Sequence, residues 1–299
     1  MAVIAVFNQK GGVGKTTTCL NLTAALARAR HNPIALDMDP QGHLSLACGI
    51  KKPSAPEAGM EAFFKHKTPL TQLLRDTPAG WQIISSSLGL SKVDALYGSD
   101  PKAAGLLKQG IRVDLSLTGA PVLIDCCPML GVLTLNALLA ADRVLIPVSA
   151  DYLSLQGVHR LDGALNVLEQ KLQRSFERRI VVTRFDTRNK YAHENYDKLK
   201  KRFGEWVCET RIAESAELAT SPMHGKDIFS YSPLSQGAAD YKALTIELVK
   251  CGFFKRESMR GALVPQGFDA SSAVHYAQNR ANANIPTHSK AATAISISH

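Results

Sequence analysis

Short apolar runs alternate with longer stretches of helical spacing along most of this chain. "AVIAVFN", near the start, is continuously apolar, the pattern of a strand covered on both faces. Behind a glycine-rich turn, "TTTCLNLTAALARAR" places Leu22, Leu26 and Ala29 on a helical face begun at Cys19. "NPIALDMDP" predicts a second short strand ending in acids, and "GWQIISSS", "APVLIDCCP", "RVLIPVSA" and "RRIVVTRF" predict further strands. "LTLNALLAA", "LQGVHRLDGALNVLEQKLQ" and "HENYDKLKKRF" predict helices, and "AADYKALTIELVK" closes the folded part as an amphipathic one. Strands separated by helices of this length predict an α/β fold, a doubly wound, mostly parallel sheet.

The periodicity fades near the end. The reading is one folded domain over residues 1–254 and a disordered tail over 255–299, rich in Ala, Ser, Asn and Thr. "KKPSAPEAG", from Lys51 to Gly59, reads as a loop. With 45% apolar residues in 299, the chain has ample material for a core, yet no apolar run is long enough to span a membrane. The start lacks a basic leader, so no signal peptide is expected. Six cysteines without a CxxC pair point to a reduced, cytosolic protein. Cys126 and Cys127, adjacent on a strand, face opposite ways and read as buried small residues. His31, His43, His66 and His159 have no metal-ligand spacing.

Charge sharpens the picture by where it lies. The formal net charge is +9, and residues 171–202 hold eleven basic side chains against four acidic ones. Such a cluster is a footprint for a polyanion, or else a solvated helix face.

The glycine-rich turn, "NQKGGVGKTTT", carries the chemistry. Gly11, Gly12 and Gly14 let backbone N–H groups converge on a phosphate. Lys15 supplies a point charge, Thr16 a hydroxyl for Mg2+, and the helix beginning there adds its positive end. The common G-x-x-x-x-G-K-[ST] spacing needs a glycine where Gln9 stands, so this is a variant loop with a second lysine, Lys10. Asp37 and Asp39 end a strand at the ligand-binding edge, where two acids can organise a metal's water shell and an attacking water. Asp125 ends the apolar run "VLID", the place of a carboxylate that reaches Mg2+ directly or through water.

"KGGVGKTT" resembles the deviant Walker A motif of the ParA/MinD/nitrogenase-reductase group of P-loop NTPases. "DPQG", "LTLNALLAADRVLIPVSADYLSLQGV" and "GKDIFSYSPLSQGAADYKALTIEL" resemble the ParA branch in order, over roughly residues 2 to 250. The resemblance is to its short forms, without an N-terminal helix-turn-helix. It implies ATP and Mg2+ as cofactors, with nucleotide contacts from Lys10, Gly11, Gly12, Val13, Gly14, Lys15, Thr16 and Thr17. It further implies Lys10, Lys15 and Asp39 as catalytic residues, Lys10 reaching the partner subunit's nucleotide and Asp39 orienting water. Thr16, Asp37 and Asp125 fall on the metal side, and Pro128 fits the second switch, D-x-x-P. The implied function is a slow ATPase, a homodimer when ATP-bound, that binds nonspecific DNA and positions a DNA or protein cargo. A ParB-like or adaptor partner stimulates hydrolysis, and the implied location is cytoplasmic and nucleoid-associated.

The DNA pattern is only partly kept. Arg188, in "TRFDTRNK", matches a DNA-contacting arginine of the family, and Lys198, Lys200, Lys201 and Arg202 form a basic helix beside it. Glu214 and Glu217 stand where the family has arginines, placing repulsion at two phosphate contacts. The alternative is a MinD-type switch on a membrane or protein matrix, but the tail lacks the amphipathic helix that it needs. A nitrogenase-reductase-like cluster protein would need two separated cysteines that Cys126 and Cys127 do not supply, and an adaptor that only binds ATP would not use Asp39.

Overall fold

The computed structural model describes residues 2–50, 59–97 and 101–255. The expected tail, beyond 255, and the loop over 51–58 lie outside the described residues. Eight strands form one sheet: β1 (Val3–Val6), β2 (Ile34–Asp37), β3 (Arg75–Asp76), β4 (Gln82–Ile84), β5 (Val122–Asp125), β6 (Arg143–Ser149), β7 (Glu177–Phe185) and β8 (Val207–Ala213). Their order is β3-β4-β2-β5-β1-β6-β7-β8, and all neighbours run parallel except the short β3 against β4. The doubly wound α/β reading therefore holds.

Burial explains the apolar runs. Along β1, Val3 and Ala5 pack into one hydrophobic layer while Ile4 and Val6 pack into the other. Both faces are covered, so both alternating sets must be apolar. Helices Val132–Ala140 and Tyr152–Leu172 cover one face; Lys15–Arg28 and Gln236–Lys250 cover the other.

The expected elements sit where the pattern placed them, and the structure adds others, among them β3, β8 and the helices Met60–His66 and Ser91–Tyr97. Strand β8 was not anticipated, because Glu209 and Arg211 on its exposed positions break the apolar run of an edge strand. The strand containing the two acids stops at Asp37, and Asp39 lies in the turn beyond it. The carboxylates do not share a strand face: Asp37 is fully buried and Asp39 is half-exposed.

Part of the basic cluster serves the fold rather than the surface. Arg174 donates to the carbonyls of Leu138, Leu139 and Ala141 at the end of helix Val132–Ala140. Arg178 is 2% exposed, lies over the Trp206 ring and pairs with Asp162 and Glu169. Removing one side of a buried ion pair strands the other. Arg178→Ala is expected to cost about 3 kcal/mol, seen as a lower urea midpoint with unchanged slope. A loss under about 1 kcal/mol would show that the two carboxylates are solvated without it.

Candidate active site

The glycine loop leaves the end of β1, between β5 and β6, at the carboxyl edge of the sheet. This edge is where open α/β sheets bind ligands. Gly12 and Gly14 have φ of 74° and 81°, which residues with a Cβ adopt only under strain. Gly14 caps helix Lys15–Arg28 with no side-chain hydrogen bond, leaving first-turn N–H groups for an anion. A Cβ built at Gly11 or Gly12 meets no protein atom within 4 Å, so the space above the loop is open. The loop is fixed from below. Thr183 Oγ1 donates to the Val13 carbonyl at 2.9 Å, and the Asn8 amide donates to the Pro147 carbonyl at 2.7 Å. Lys15 is 8% exposed and folds over the loop, its Nζ donating to the Lys10 carbonyl at 2.9 Å. Burial lowers its pKa, with nearby Asp125 opposing the shift.

Asp125 is fully buried. Thr16 Oγ1 donates to its Oδ2 at 2.8 Å, while its Oδ1 has no hydrogen-bond partner. Asp37 lies directly across the β2–β5 ladder, also fully buried. Burial first, and then the charge of Asp37, push the Asp125 carboxyl well above the usual range; burial pushes Asp37 up to about 6. A divalent cation at Thr16 and the orphaned Oδ1 would reverse that penalty, so the residues fit Mg2+. Among the described residues no group of three or more acidic, His or Cys side chains could cage a metal alone. That suits Mg2+, which keeps waters and takes substrate phosphates as ligands.

Asp37 has other partners. Its Oδ2 accepts from the Ser45 N–H and hydroxyl at 2.8 and 2.6 Å, and its Oδ1 from the Asp39 N–H at 3.2 Å. It thus ties both ends of the segment that carries Asp39. Asp39 lines a cavity of about 1000 Å3 with Lys15, Thr16, His43, Cys127 and Pro128. Read from the sequence, His43 has no metal role and Cys127 only a buried place; both line this cavity, a few residues along the chain from Asp39 and Asp125. Sequence reasoning missed Ser45, for which a lone serine in a helix gave no cue.

Lys10 does not line that large cavity. Its Nζ donates to Asp151 Oδ1 at 2.8 Å and Ser154 Oγ at 2.7 Å, in a separate cleft of about 380 Å3. Burial raises the Asp151 pKa, but donors from Lys10, Ser149 and Ser154 outweigh it and hold the carboxyl well below its usual range.

The DNA candidates separate into two sets. Lys200 turns inward to the Val207 carbonyl and Glu209, and Arg188 is paired with Asp186 in its own turn. Among the described residues Lys198, Lys201 and Arg202 are exposed and form no ion pair. Of the two acids at family arginine positions, Glu214 pairs with Arg184 at 2.9 Å and Glu217 accepts from Ser215. Tyr231 stacks on His224, with ring centroids 5.0 Å apart.

Replacing Asp125 with Asn separates stability from function. Asp125→Asn removes one of two repelling buried charges, so the nucleotide-free protein should melt a few degrees higher. Mg2+-dependent ATP affinity should disappear and turnover should fall by at least about a hundredfold. Calorimetric titration of ATP with and without Mg2+ checks this; an unchanged Mg2+ dependence would take Asp125 off the metal side.

Comparison with known proteins fits this geometry. An AAA-domain family matches residues 1–178. The chain is 35% identical to a chromosome partitioning protein ParA of Myxococcus xanthus, covering 83% of this chain and 88% of that protein. It is 30% identical to the sporulation initiation inhibitor protein Soj of Bacillus subtilis, over 84% of this chain and 99% of that one. Cobyrinic acid a,c-diamide synthase of Mycobacterium smegmatis, solved with an ATP analogue and magnesium, superposes with a TM-score of 0.73. It is 25% identical and covers 88% of this chain and all of its own. With a glycine loop built for phosphates and an acid built for Mg2+, this chain belongs to the ParA/MinD/Soj family of deviant Walker A P-loop NTPases and is an ATP-hydrolysing enzyme that uses Mg2+.

Proposed function

We propose that the protein is a nucleotide-switched positioning ATPase. ATP closes a homodimer through Lys10, and the dimer binds DNA without sequence preference. A ParB-like or adaptor partner then stimulates slow hydrolysis, which opens the dimer and moves a DNA or protein cargo. The observation that carries this reading is the separation of the two lysines: Lys15 lines the large cavity and Lys10 the neighbouring cleft. One cation is placed for the chain's own phosphates, and the other is free of them. The Lys10 side chain is 36% exposed, which leaves it able to exchange Asp151 for a partner's triphosphate. The relatives named for chromosome partitioning support the same role.

Within the site, Lys15 balances phosphate charge, Thr16 and Asp125 hold Mg2+, and Asp39 orients the attacking water. Mg2+ supplies charge neutralisation on the phosphate oxygens. Gly11, Gly12, Val13, Gly14 and Thr17 complete the chain's own phosphate cradle, and Lys10 joins the nucleotide site of the partner across the dimer. Asp37 acts behind the metal, positioning the Asp39 segment through Asp39 N and Ser45. Turnover is slow because one chain lacks a full set of cations around the transferring phosphate, and a partner completes it.

Lys198, Lys201 and Arg202 carry the DNA, with Arg188 added when a phosphate displaces Asp186. Glu214 does little harm because Arg184 neutralises it. No helix among the described residues is long and apolar enough to cross a membrane, and we place the protein in the cytoplasm, on the nucleoid.

Co-sedimentation with random-sequence duplex DNA, with ADP, ATP or a slowly hydrolysed analogue, tests this over a salt series. Binding should need ATP, and changing Lys198, Lys201 and Arg202 together to Ala, six cations in the dimer, should flatten the log–log salt slope by about 5. Nucleotide-independent or salt-insensitive binding would contradict the switch, and ATP-dependent pelleting with anionic liposomes in its place would favour a membrane matrix.

A further inference from the structure

Beside the glycine loop, on the side away from Asp39, lies a smaller cavity of about 260 Å3. It is lined by Gly12, Gly14 and Thr17 and by the ends of β7 and β8. Gly12, Gly14 and Thr17 also line the large cavity, so a nucleotide whose triphosphate lies at Lys15, Thr16 and Asp125 can reach this cavity with its base. Ile212, Ala213 and Leu218 supply an apolar wall, and Arg184 and Glu214 supply the charged groups. The same two residues also line the cleft that holds Lys10. They stand on the ridge between base cavity and cleft.

The backbone is arranged to put them there. Arg184 has φ of 51°, a left-handed conformation rare outside glycine, at an irregularity in the β7–β8 register. Bulges of this kind re-aim a side chain, and held strain of this kind clusters at functional sites. Arg184 Nε donates to Glu214 Oε2 at 2.9 Å. Among the described residues, the terminal guanidinium nitrogens of Arg184 and Oε1 of Glu214 have no further hydrogen bond. The pair therefore offers donors and an acceptor side by side, with side chains 58% and 52% exposed.

Such a pair complements both purines. Adenine presents an amino donor at N6 and an acceptor at N7, whereas guanine presents acceptors at O6 and N7 and an amino donor at N2. Guanine adds the N1–H beside it, and a carboxylate can take both N–H groups together. An arginine in place of Glu214, as in the family pattern, would offer donors only and leave guanine's N–H groups unpaired. We propose that Arg184 and Glu214 read the base, and that Glu214 opens this nucleotide site to guanosine triphosphate as well as adenosine triphosphate. Glu214 accepts from guanine N1–H and N2, or from adenine N6, while Arg184 donates to O6 or N7. This rests on the nucleotide site and its loop as read above.

The test is calorimetric binding and steady-state hydrolysis of Mg-ATP and Mg-GTP by the full chain. Wild type, Glu214→Arg, Glu214→Ala and Glu217→Ala are compared. Wild type should bind GTP within about tenfold of ATP. Glu214→Arg and Glu214→Ala should each weaken GTP at least about tenfold more than ATP, as loss of a charged hydrogen bond does. The loss should fall on KM rather than kcat. Glu217→Ala, which alters a nearby exposed carboxylate bonded to Ser215, should leave the GTP/ATP ratio where it was. Exclusion of GTP by more than about a hundredfold in wild type would overturn the assignment. So would equal weakening of both nucleotides by the Glu214 changes, or a shifted ratio in Glu217→Ala. If ATP binds and GTP does not, only the base reading fails; if neither binds, the nucleotide site itself was misread.

Discussion

A carboxylate with no exposed surface and one unpartnered oxygen is costly to hold ionised. Asp125 is in that position, and Asp37 faces it across the ladder, equally buried. Burial raises the pKa of both carboxyls, Asp37 raises that of Asp125 further, and ionising them opposes the folded state unless a cation compensates. The rest of the site follows from that constraint. Thr16 occupies one oxygen of Asp125, Ser45 and the Asp39 N–H occupy Asp37, and what remains open points to a metal. A divalent cation bound at Asp125 would restore the stability that this burial withholds.

The same economy of partners governs the loop. Lys15 is buried over the loop and donates to the carbonyl of Lys10, while the Lys10 side chain turns to Asp151 and Ser154. The two cations are neighbours through one backbone group yet face different cavities. Asp151 is held ionised by its hydroxyl and ammonium donors, so Lys10 leaves it only for a stronger anion. A triphosphate is such an anion. In the proposed switch, coupling between nucleotide and association needs no long pathway, because Lys10 sits at the loop itself.

Much of this was legible in the chain. Continuous apolar runs revealed strands buried on both faces, and the glycine spacing located the turn with left-handed Gly12 and Gly14 that opens helix Lys15–Arg28. Asp125 at the end of "VLID" announced itself by position. Less visible was anything that depends on distant partners. Asp37 and Asp39 alternate in sequence as strand residues would, but the strand ends at Asp37 and the turn carries Asp39 elsewhere. Arg178 counts as a surface charge in sequence and is a core ion pair in space. Lys200 sits in a basic helix yet bonds the neighbouring strand. Periodicity reports which face is apolar; it does not report which charged groups find each other across elements.

The most direct measurement is the sedimentation-derived mass of wild type and Lys10→Ala, each with Mg-ADP and with a slowly hydrolysed Mg-ATP analogue. The account predicts that the wild-type mass doubles with the ATP analogue alone. Lys10→Ala should still bind it, with the loop and Lys15 intact, and remain single. A variant that doubles its mass as wild type does would contradict the account, because Lys10 would then play no part in joining two chains.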